Sequence, residues 1–264
     1  MAITTLDGWI ASAKQRLTMS RTATRTAVAA SPTSIFDLAG INGSGTLAGT
    51  STTTGTVPTD ATAGCPLINA FGGGNTGYIS RIEASNIVAG RIRLYDMLWK
   101  GGAYAFNVST SGNSPTSYSS RVPSGTDYTG LQIWYEQVTA GTLVQNVNVT
   151  YNDQAGASST TGVTAAPAAM IVGRMFQLPL AAGDSGVQGI TGVVGTVASA
   201  GTFNLLVLRP LADIRIRVAN DSVILDMLGT GMPQIFDNSA LYMTFQPDST
   251  ATQTPEITID VVNG

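Results

Sequence analysis

The triplet Asp184-Ser185-Gly186 has the residue types of an aspartic protease active site, which requires two carboxylates that share one proton. Its counterpart, 109 residues earlier, is Asn75-Thr76-Gly77, in which an asparagine replaces the second aspartate. An asparagine cannot alternate between acid and base, so the pair lacks the chemistry that a protease needs. We therefore interpret both triplets as turns before strands, in which the Asp or Asn side chain caps backbone groups.

Other residue types restrict the possible chemistry further. The chain has no histidine, which excludes Ser-His-Asp and Cys-His nucleophiles, His-ligated zinc and a haem histidine. Cys65 is the single cysteine, so we expect a buried apolar side chain and no intrachain disulfide. The pairs Asp221 with Asp226 and Asp237 with Asp248 lack the neighbouring oxygen ligands of a calcium loop. We expect no metal, no cofactor and no enzymatic activity.

The composition indicates which kind of secondary structure predominates. Only 11% of the 264 residues are charged, while 35 are threonine, 22 serine and 30 glycine. Threonine favours strands and glycine favours turns, so an all-β fold is expected. The net charge of -3 argues against a nucleic-acid-binding protein, which would carry a basic stripe. No apolar stretch approaches the roughly 20 residues that a membrane span needs. The N-terminus lacks a secretion signal, which predicts an intracellular protein.

The N-terminal segment, residues 1–30, is predicted to be a helix followed by a basic arm. Leu6, Trp9, Ile10 and Leu17 recur at helical spacing, which favours a short amphipathic helix from about Thr5 to Leu17. The segment holds Lys14, Arg16, Arg21 and Arg25 against one acid, Asp7. An ordinary frayed terminus would explain this pattern, and so would an arm that binds an acidic neighbour. We take Leu6, Trp9, Ile10, Leu17, Arg21 and Arg25 as candidate partner-binding residues.

The rest of the chain is predicted to form two similar β domains. Residues 31–64 are rich in Gly, Thr and Ser and are expected to be a loop region. Alternating segments such as Val147-Asn148-Val149 and Ile257-Thr258-Ile259 indicate half-buried strands, and they recur at an offset of 110 residues. We predict tandem β-sandwich or jelly-roll-like domains at 65–155 and 170–264, joined by a small-residue linker at 156–169.

Four segments of the chain resemble a family of virion structural proteins of tailed bacteriophages. They are residues 6–16 (LDGWIASAKQR), 60–66 (DATAGCP), 178–188 (LPLAAGDSGVQ) and 217–221 (RVAND). The resemblance runs over nearly the full chain and provides no motif for a site. By analogy of size and β content it implies a capsid cement or decoration protein, non-enzymatic and commonly trimeric, on the outer surface of the head.

This resemblance leads to a functional hypothesis with two rivals. The expected partners are the major capsid protein and further copies of this chain, as a homotrimer on the virion surface, after synthesis in the bacterial cytoplasm. The first rival is a tail or head-tail adaptor component. The second is a carbohydrate-binding module, because Trp99, Tyr104, Trp134 and Tyr135 could stack on a host-surface sugar, although aromatic residues in strands more often lie in a core.

Overall fold

The computed structural model describes residues 5–73, 75–112, 118–166 and 171–264. The first four residues of the predicted arm, Gly74 before the first turn motif, and the end of the predicted linker with the start of the second predicted domain lie outside this description.

Helices make up little of the described chain. There are two short α-helices, Leu6–Ala11 (α1) and Met227–Thr230 (α2), and two 3-10 turns, Ser119–Arg121 and Pro123–Gly125. Among the described residues, no helix has the length and apolar character needed to cross a membrane.

The strands range in length from 2 to 16 residues. Up to residue 64 they are Lys14–Ser20 (β1), Thr26–Ala27 (β2), Thr33–Ser34 (β3) and Ser51–Thr56 (β4). In residues 65–169 they are Gly77–Asn86 (β5), Gly90–Ala105 (β6), Ser109–Ser111 (β7), Gln132–Thr139 (β8), Asn146–Asp153 (β9), Ser158–Thr160 (β10) and Thr164–Ala165 (β11). From residue 170 they are Met175–Leu178 (β12), Val187–Gly195 (β13), Thr202–Ile216 (β14), Asp221–Leu225 (β15), Gln234–Ile235 (β16), Leu241–Pro247 (β17), Ala251–Thr252 (β18) and Glu256–Asn263 (β19).

Three antiparallel sheets form the body. Sheet I has the order β12-β8-β14-β6-β17-β3, with β4 also pairing with β6. Sheet II has the order β1-β19-β5-β15, with β16 on β5, and sheet III has the order β10-β9-β13-β7, with β11 on β9. The strands β2 and β18 form a separate small pair. The all-β sandwich and the short N-terminal helix that the sequence predicts are confirmed.

Sheets II and III pack on the same face of sheet I. Alternate residues of a strand point to one face, and along β6 these are Ile92, Leu94, Asp96 and Leu98. Ile92 and Leu94 belong to the apolar cluster shared by sheets I and II, which we call core A. Leu98 belongs to the cluster shared by sheets I and III, which we call core B. The long strands β6 and β14 therefore run through both sandwiches.

The two sequence repeats exchange strands with each other. Equivalent strands follow in the same order, as β5, β6, β8 and β9 in the first repeat and β13, β14, β17 and β19 in the second. In the part of the chain that the structure describes, every pairing among these eight strands joins the two repeats: β6 with β14, β8 with β14, β6 with β17, β5 with β19 and β9 with β13.

This pairing corrects the predicted domain organisation. The bounds 65–155 and 170–264 delimit two repeats but not two separate sandwiches, because each sandwich takes strands from both. The physical reason is that consecutive strands of one repeat, such as β5 and β6, lie in different sheets and so do not satisfy each other's backbone groups. The segment predicted to be a linker is part of the fold, because its strands β10 and β11 pair with β9 and extend sheet III.

The N-terminal helix is shorter than the sequence predicts. It ends at Ala11, and residues 14–20 form β1, which pairs antiparallel with β19 from Lys14 opposite Val262 to Ser20 opposite Glu256. Leu17 fits both a helical stripe and the alternation of a strand. The strand prevails because it satisfies its backbone on the edge of β19, whereas a short isolated helix is marginal in water.

The junction between cores A and B holds a buried ionic cluster around Asp96, which is fully buried. Its carboxylate accepts hydrogen bonds from Arg121 (Nη1 to Oδ1, 3.1 Å) and Arg209 (Nη2 to Oδ2, 3.2 Å). The Ser239 hydroxyl (2.8 Å) and the Ala240 backbone N–H (3.0 Å) complete its partners. Burial lowers the pKa of Arg121, while the charge of Asp96 raises it. The Asp96 carboxylate is therefore satisfied by protein donors, and the two guanidinium groups share its single negative charge.

Removing the central charge is expected to destabilise the fold strongly. Asp96→Asn leaves the guanidinium groups of Arg121 and Arg209 buried without a counter-charge, so the free energy of unfolding should fall by about 3 to 5 kcal/mol. The matched control is Asp213→Asn, whose side chain is 44% exposed and pairs with Arg91. That change should cost less than about 1 kcal/mol. Urea unfolding followed by circular dichroism measures both, and equal effects would contradict the structural role of Asp96.

A second pair of variants tests whether the N-terminal segment belongs to the body. Leu17 is 6% exposed and packs in core A, whereas Leu6 on α1 is 61% exposed. Leu17→Ala should therefore lower the free energy of unfolding by about 2 to 5 kcal/mol, by lost burial and a residual cavity. Leu6→Ala should change it by less than about 0.5 kcal/mol. If Leu17→Ala has no more effect than Leu6→Ala in the same urea titration, β1 is not part of the folded unit.

Candidate interaction surface

The six predicted partner-binding residues separate into two groups. Leu17, Arg21 and Arg25 are used by the chain's own fold. Arg21 is 2% exposed, and its guanidinium donates to main-chain carbonyls that include those of Ile35 (2.9 Å) and Gly64 (3.1 Å). Burial lowers the pKa of Arg21. These three residues therefore hold the segment 14–41 on the body and do not present a free basic arm.

Arg25 and the remaining basic residues of the arm also have partners within the chain. Arg25 forms an ion pair with Asp37 at 2.7 Å, and Arg16 forms one with Asp260 at 2.7 Å. The Lys14 ammonium donates to two carbonyls of the helix end, at 2.9 and 3.2 Å. The acidic groups that pair with Arg16 and Arg25 therefore belong to the same chain and not to a neighbouring molecule.

The other three predicted residues lie on α1 and remain accessible. Leu6 and Ile10 are 61% and 59% exposed, and no residue of α1 is buried. Trp9 is partly buried, with the Lys14 ammonium 4.8 Å from its ring centroid. The hydroxyl of Thr5 caps the helix by accepting from the Gly8 N–H at 3.0 Å. Of the six predicted residues, the three on this short helix are therefore the ones that an outside partner could contact.

The outer face of sheet III is a broader surface, and we call it the neutral face. Residues of β9 alternate between buried apolar and partly exposed polar positions, so its polar side chains point away from core B. The hydroxyl of Thr160 donates to the side-chain Oδ1 of Asn148 at 2.6 Å across this face. Within the described residues, no charged side chain lies on it. Its members include Ser109, Ser111, Asn148, Thr150, Asn152, Thr160 and Val194.

The outer faces of the other two sheets are charged. On sheet II, Asp260 of β19 lies between Arg16 of β1 and Arg81 of β5, and Arg81 also pairs with Glu83 at 2.7 Å. On sheet I, Arg91 and Arg93 share Asp213, at 3.1 and 3.3 Å, and Arg215 pairs with Asp248 at 2.6 Å. The neutral face therefore differs in kind from both.

The aromatic residues considered for sugar stacking are mostly core residues. Trp99, Tyr104 and Tyr135 are fully buried in core B. Trp134 lines an open cleft of about 350 Å³ together with Tyr95, Gln132 and Asp213, among others. At 4% exposure, Trp134 has little ring face left for a sugar to cover.

The residues first considered for chemistry serve structural purposes. The Asn75 side-chain amide donates to the Phe71 carbonyl at 3.0 Å, as a turn residue does. The Asp184 carboxylate accepts from the Tyr151 hydroxyl at 2.6 Å, which lowers the pKa of Asp184. Burial raises the pKa of the Cys65 thiol to about 12. Within the described residues, no three His, Cys, Asp or Glu side chains are grouped as metal ligands.

Sequence reasoning missed two buried polar clusters. One is the Asp96 cluster, and the other joins Lys100, Glu136 and Asn204 on three adjacent strands. The only signal in the sequence was that Lys100 is one of two lysines and directly follows the apolar residues 97–99. Sequence spacing could not show that residues 100, 136 and 204 meet, because the contact depends on strand exchange between the repeats.

Comparisons with known proteins give no family for this chain. No family model matches it, and no curated protein matches it. Two solved structures of infectious bursal disease virus, of the Gt and the Gx strain, each share 9% sequence identity with it. They cover 95% and 96% of this chain and 81% and 80% of the matched chains, each with a TM-score of 0.19. Similarity at this level carries no argument about fold or function.

Proposed function

We propose that this protein is a structural component of a tailed bacteriophage virion, a capsid cement or decoration protein that binds the major capsid protein lattice. The proposal rests on the resemblance of four segments to virion structural proteins. Two of these segments form connections in the fold: residues 178–188 join β12 to β13, and residues 217–221 lead into β15.

The neutral face is the observation that best supports a contact with a lattice. Asn, Thr and Ser side chains cost less to remove from water than charged ones and lose little rotamer entropy on burial. The central regions of protein interfaces are depleted of charge for the same reason. A rigid sheet also provides a surface that needs no ordering when it binds. We therefore assign the capsid contact to the neutral face.

The proposed assembly is a homotrimer on the capsid surface. Closed symmetric oligomers are the usual form of soluble assemblies, and icosahedral lattices offer threefold positions. Leu6, Trp9 and Ile10 on α1 are the accessible apolar residues that we assign to a contact with a neighbouring subunit. A tail or head-tail adaptor component is the alternative within the virion. Sugar binding has less support, because Trp134 is almost fully buried.

Binding to capsids that lack the protein tests this function. Thr150→Lys places a charge at the centre of the neutral face, and it should weaken uptake onto such capsids about tenfold, which corresponds to about 1.4 kcal/mol. The matched control is Thr258→Lys on the outer face of sheet II, which should leave uptake unchanged. Cosedimentation of purified protein with capsids measures both. Equal uptake by the two variants would reject the neutral face as the contact.

The copy number per virion separates the alternatives. A cement protein should be present on the order of hundreds of copies, as expected for a repeating lattice. A few copies to a few dozen would indicate an adaptor and would contradict the cement assignment. Quantitative gel densitometry of purified virions provides the number. Reproducible binding of the isolated protein on a glycan array would instead favour the sugar-binding alternative.

A further inference from the structure

Three side chains of neighbouring strands in sheet I form a buried cluster with reactive groups. Lys100 lies on β6, Asn204 on β14 and Glu136 on β8, with β14 between the other two strands. Asn204 is opposite Glu136 in the strand register, and Lys100 is opposite Leu206, two residues further along β14. Glu136 and Asn204 are fully buried, and Lys100 is 5% exposed. An amine, a carboxyl group and a primary amide are thus enclosed together.

The carboxyl group of Glu136 lies between the amine and the amide. Its Oε2 atom is 2.6 Å from the Asn204 Nδ2 and 3.8 Å from the Lys100 Nζ. Its Oε1 atom accepts from the Tyr242 hydroxyl at 2.6 Å. The tyrosine therefore fixes one carboxyl oxygen and leaves the other facing both the amine and the amide.

The loop of residues 46–49 holds the amine and the amide in place. The Gly49 N–H donates to the Asn204 Oδ1 at 2.9 Å, while the Asn204 Nδ2 also donates to the Leu47 carbonyl at 2.6 Å. The Lys100 Nζ donates to the Thr46 carbonyl at 2.7 Å. The hydrogen bond from Gly49 polarises the amide carbonyl and stabilises negative charge on its oxygen, as donors of an oxyanion hole do.

An amine acts as a nucleophile only without its extra proton, and the neighbouring carboxylate of Glu136 is the group that can accept this proton. Two separated charges in an apolar interior are costly, and the ion pair at 3.8 Å is longer than a hydrogen bond. Transfer of one proton from the ammonium group to the carboxylate produces an amine and a carboxylic acid, which removes both charges. A neutral amine is a nucleophile, and a neutral carboxylic acid can donate a proton.

We propose that Lys100 and Asn204 join in an intramolecular isopeptide bond, with Glu136 as the catalytic acid and base. The Lys100 Nζ lone pair attacks the Asn204 Cγ, and the new N–C bond forms as the bond from Cγ to Nδ2 breaks. Glu136 donates its proton to Nδ2 and accepts one from Nζ. Nδ2 leaves as ammonia, and the carboxylic acid of Glu136 is regenerated. The exchange of one amide for another needs no oxidant and no co-reactant.

The surroundings suit this reaction and give it a structural purpose. A cavity of about 290 Å³ is lined by Thr46, Gly49 and Lys100, so the ammonia has a space to enter. The product links β6 to β14, which form the central pair of sheet I and one of the pairings that join the two repeats. A covalent link there restricts the unfolded chain and so favours the folded state.

The intact mass of the denatured protein tests the proposal directly. The wild-type chain should be about 17 Da lighter than its sequence requires, the mass of the released ammonia. Lys100→Arg and Glu136→Gln should each restore the full mass. The matched controls are Lys14→Arg, which changes the only other lysine, and Glu83→Gln on the surface of sheet II, and both should keep the deficit. Wild-type protein of full mass overturns the proposal.

Peptide mapping distinguishes the isopeptide bond from succinimide formation, which removes the same mass at Asn-Gly sequences such as Asn42-Gly43. Digestion with trypsin should yield residues 94–121, uncut at Lys100, joined to residues 175–215, because Pro210 protects the bond after Arg209. A deficit that persists in Lys100→Arg, or separate peptides that end at Lys100, would overturn the proposal. Circular dichroism shows whether each variant is folded before its mass is interpreted. If a variant misfolds, the wild-type mass and its cross-linked peptide decide the question.

Discussion

The buried carboxylate of Asp96 sets the constraint on which the arrangement of the chain depends. Because Asp96 is fully buried, its charge must be matched by hydrogen-bond donors of the protein and not by water. Those donors come from the loop after β7, from β14 and from the turn before β17, so three distant parts of the sequence must meet at one atom group. The ionic contact favours the observed packing of the two repeats, because Asp96 on β6 and Arg209 on β14 lie directly opposite each other.

Strand exchange between the repeats extends this constraint to the proposed function. The neutral face combines β9 of the first repeat with β13 of the second, so it exists only when both repeats are in place. The cluster of Lys100, Glu136 and Asn204 likewise takes residues from both repeats. The neutral face and the cluster therefore both require the two repeats to be folded together.

The sequence predicted the elements better than their partners. Alternation at Val147, Val149 and Tyr151 indicated a strand, and the offset of 110 residues indicated two equivalent halves. Neither pattern specifies which strand lies beside which, so the exchange between repeats could not be deduced. Leu17 was misread because its spacing fits a helix and a strand equally, and the edge of β19 decided between them. Arg21 was assigned to the surface because its carbonyl partners lie far along the chain.

Differential scanning calorimetry tests the central claim that the two repeats form one interlocked unit. Interlocked repeats should unfold in a single transition, with a calorimetric enthalpy equal to the van't Hoff enthalpy and of about 180 kcal/mol near 60 °C for a chain of this length. Two transitions, each with about half of that enthalpy, would show that the sandwiches unfold independently. That result would contradict the role of Asp96 and of strand exchange in joining the two repeats.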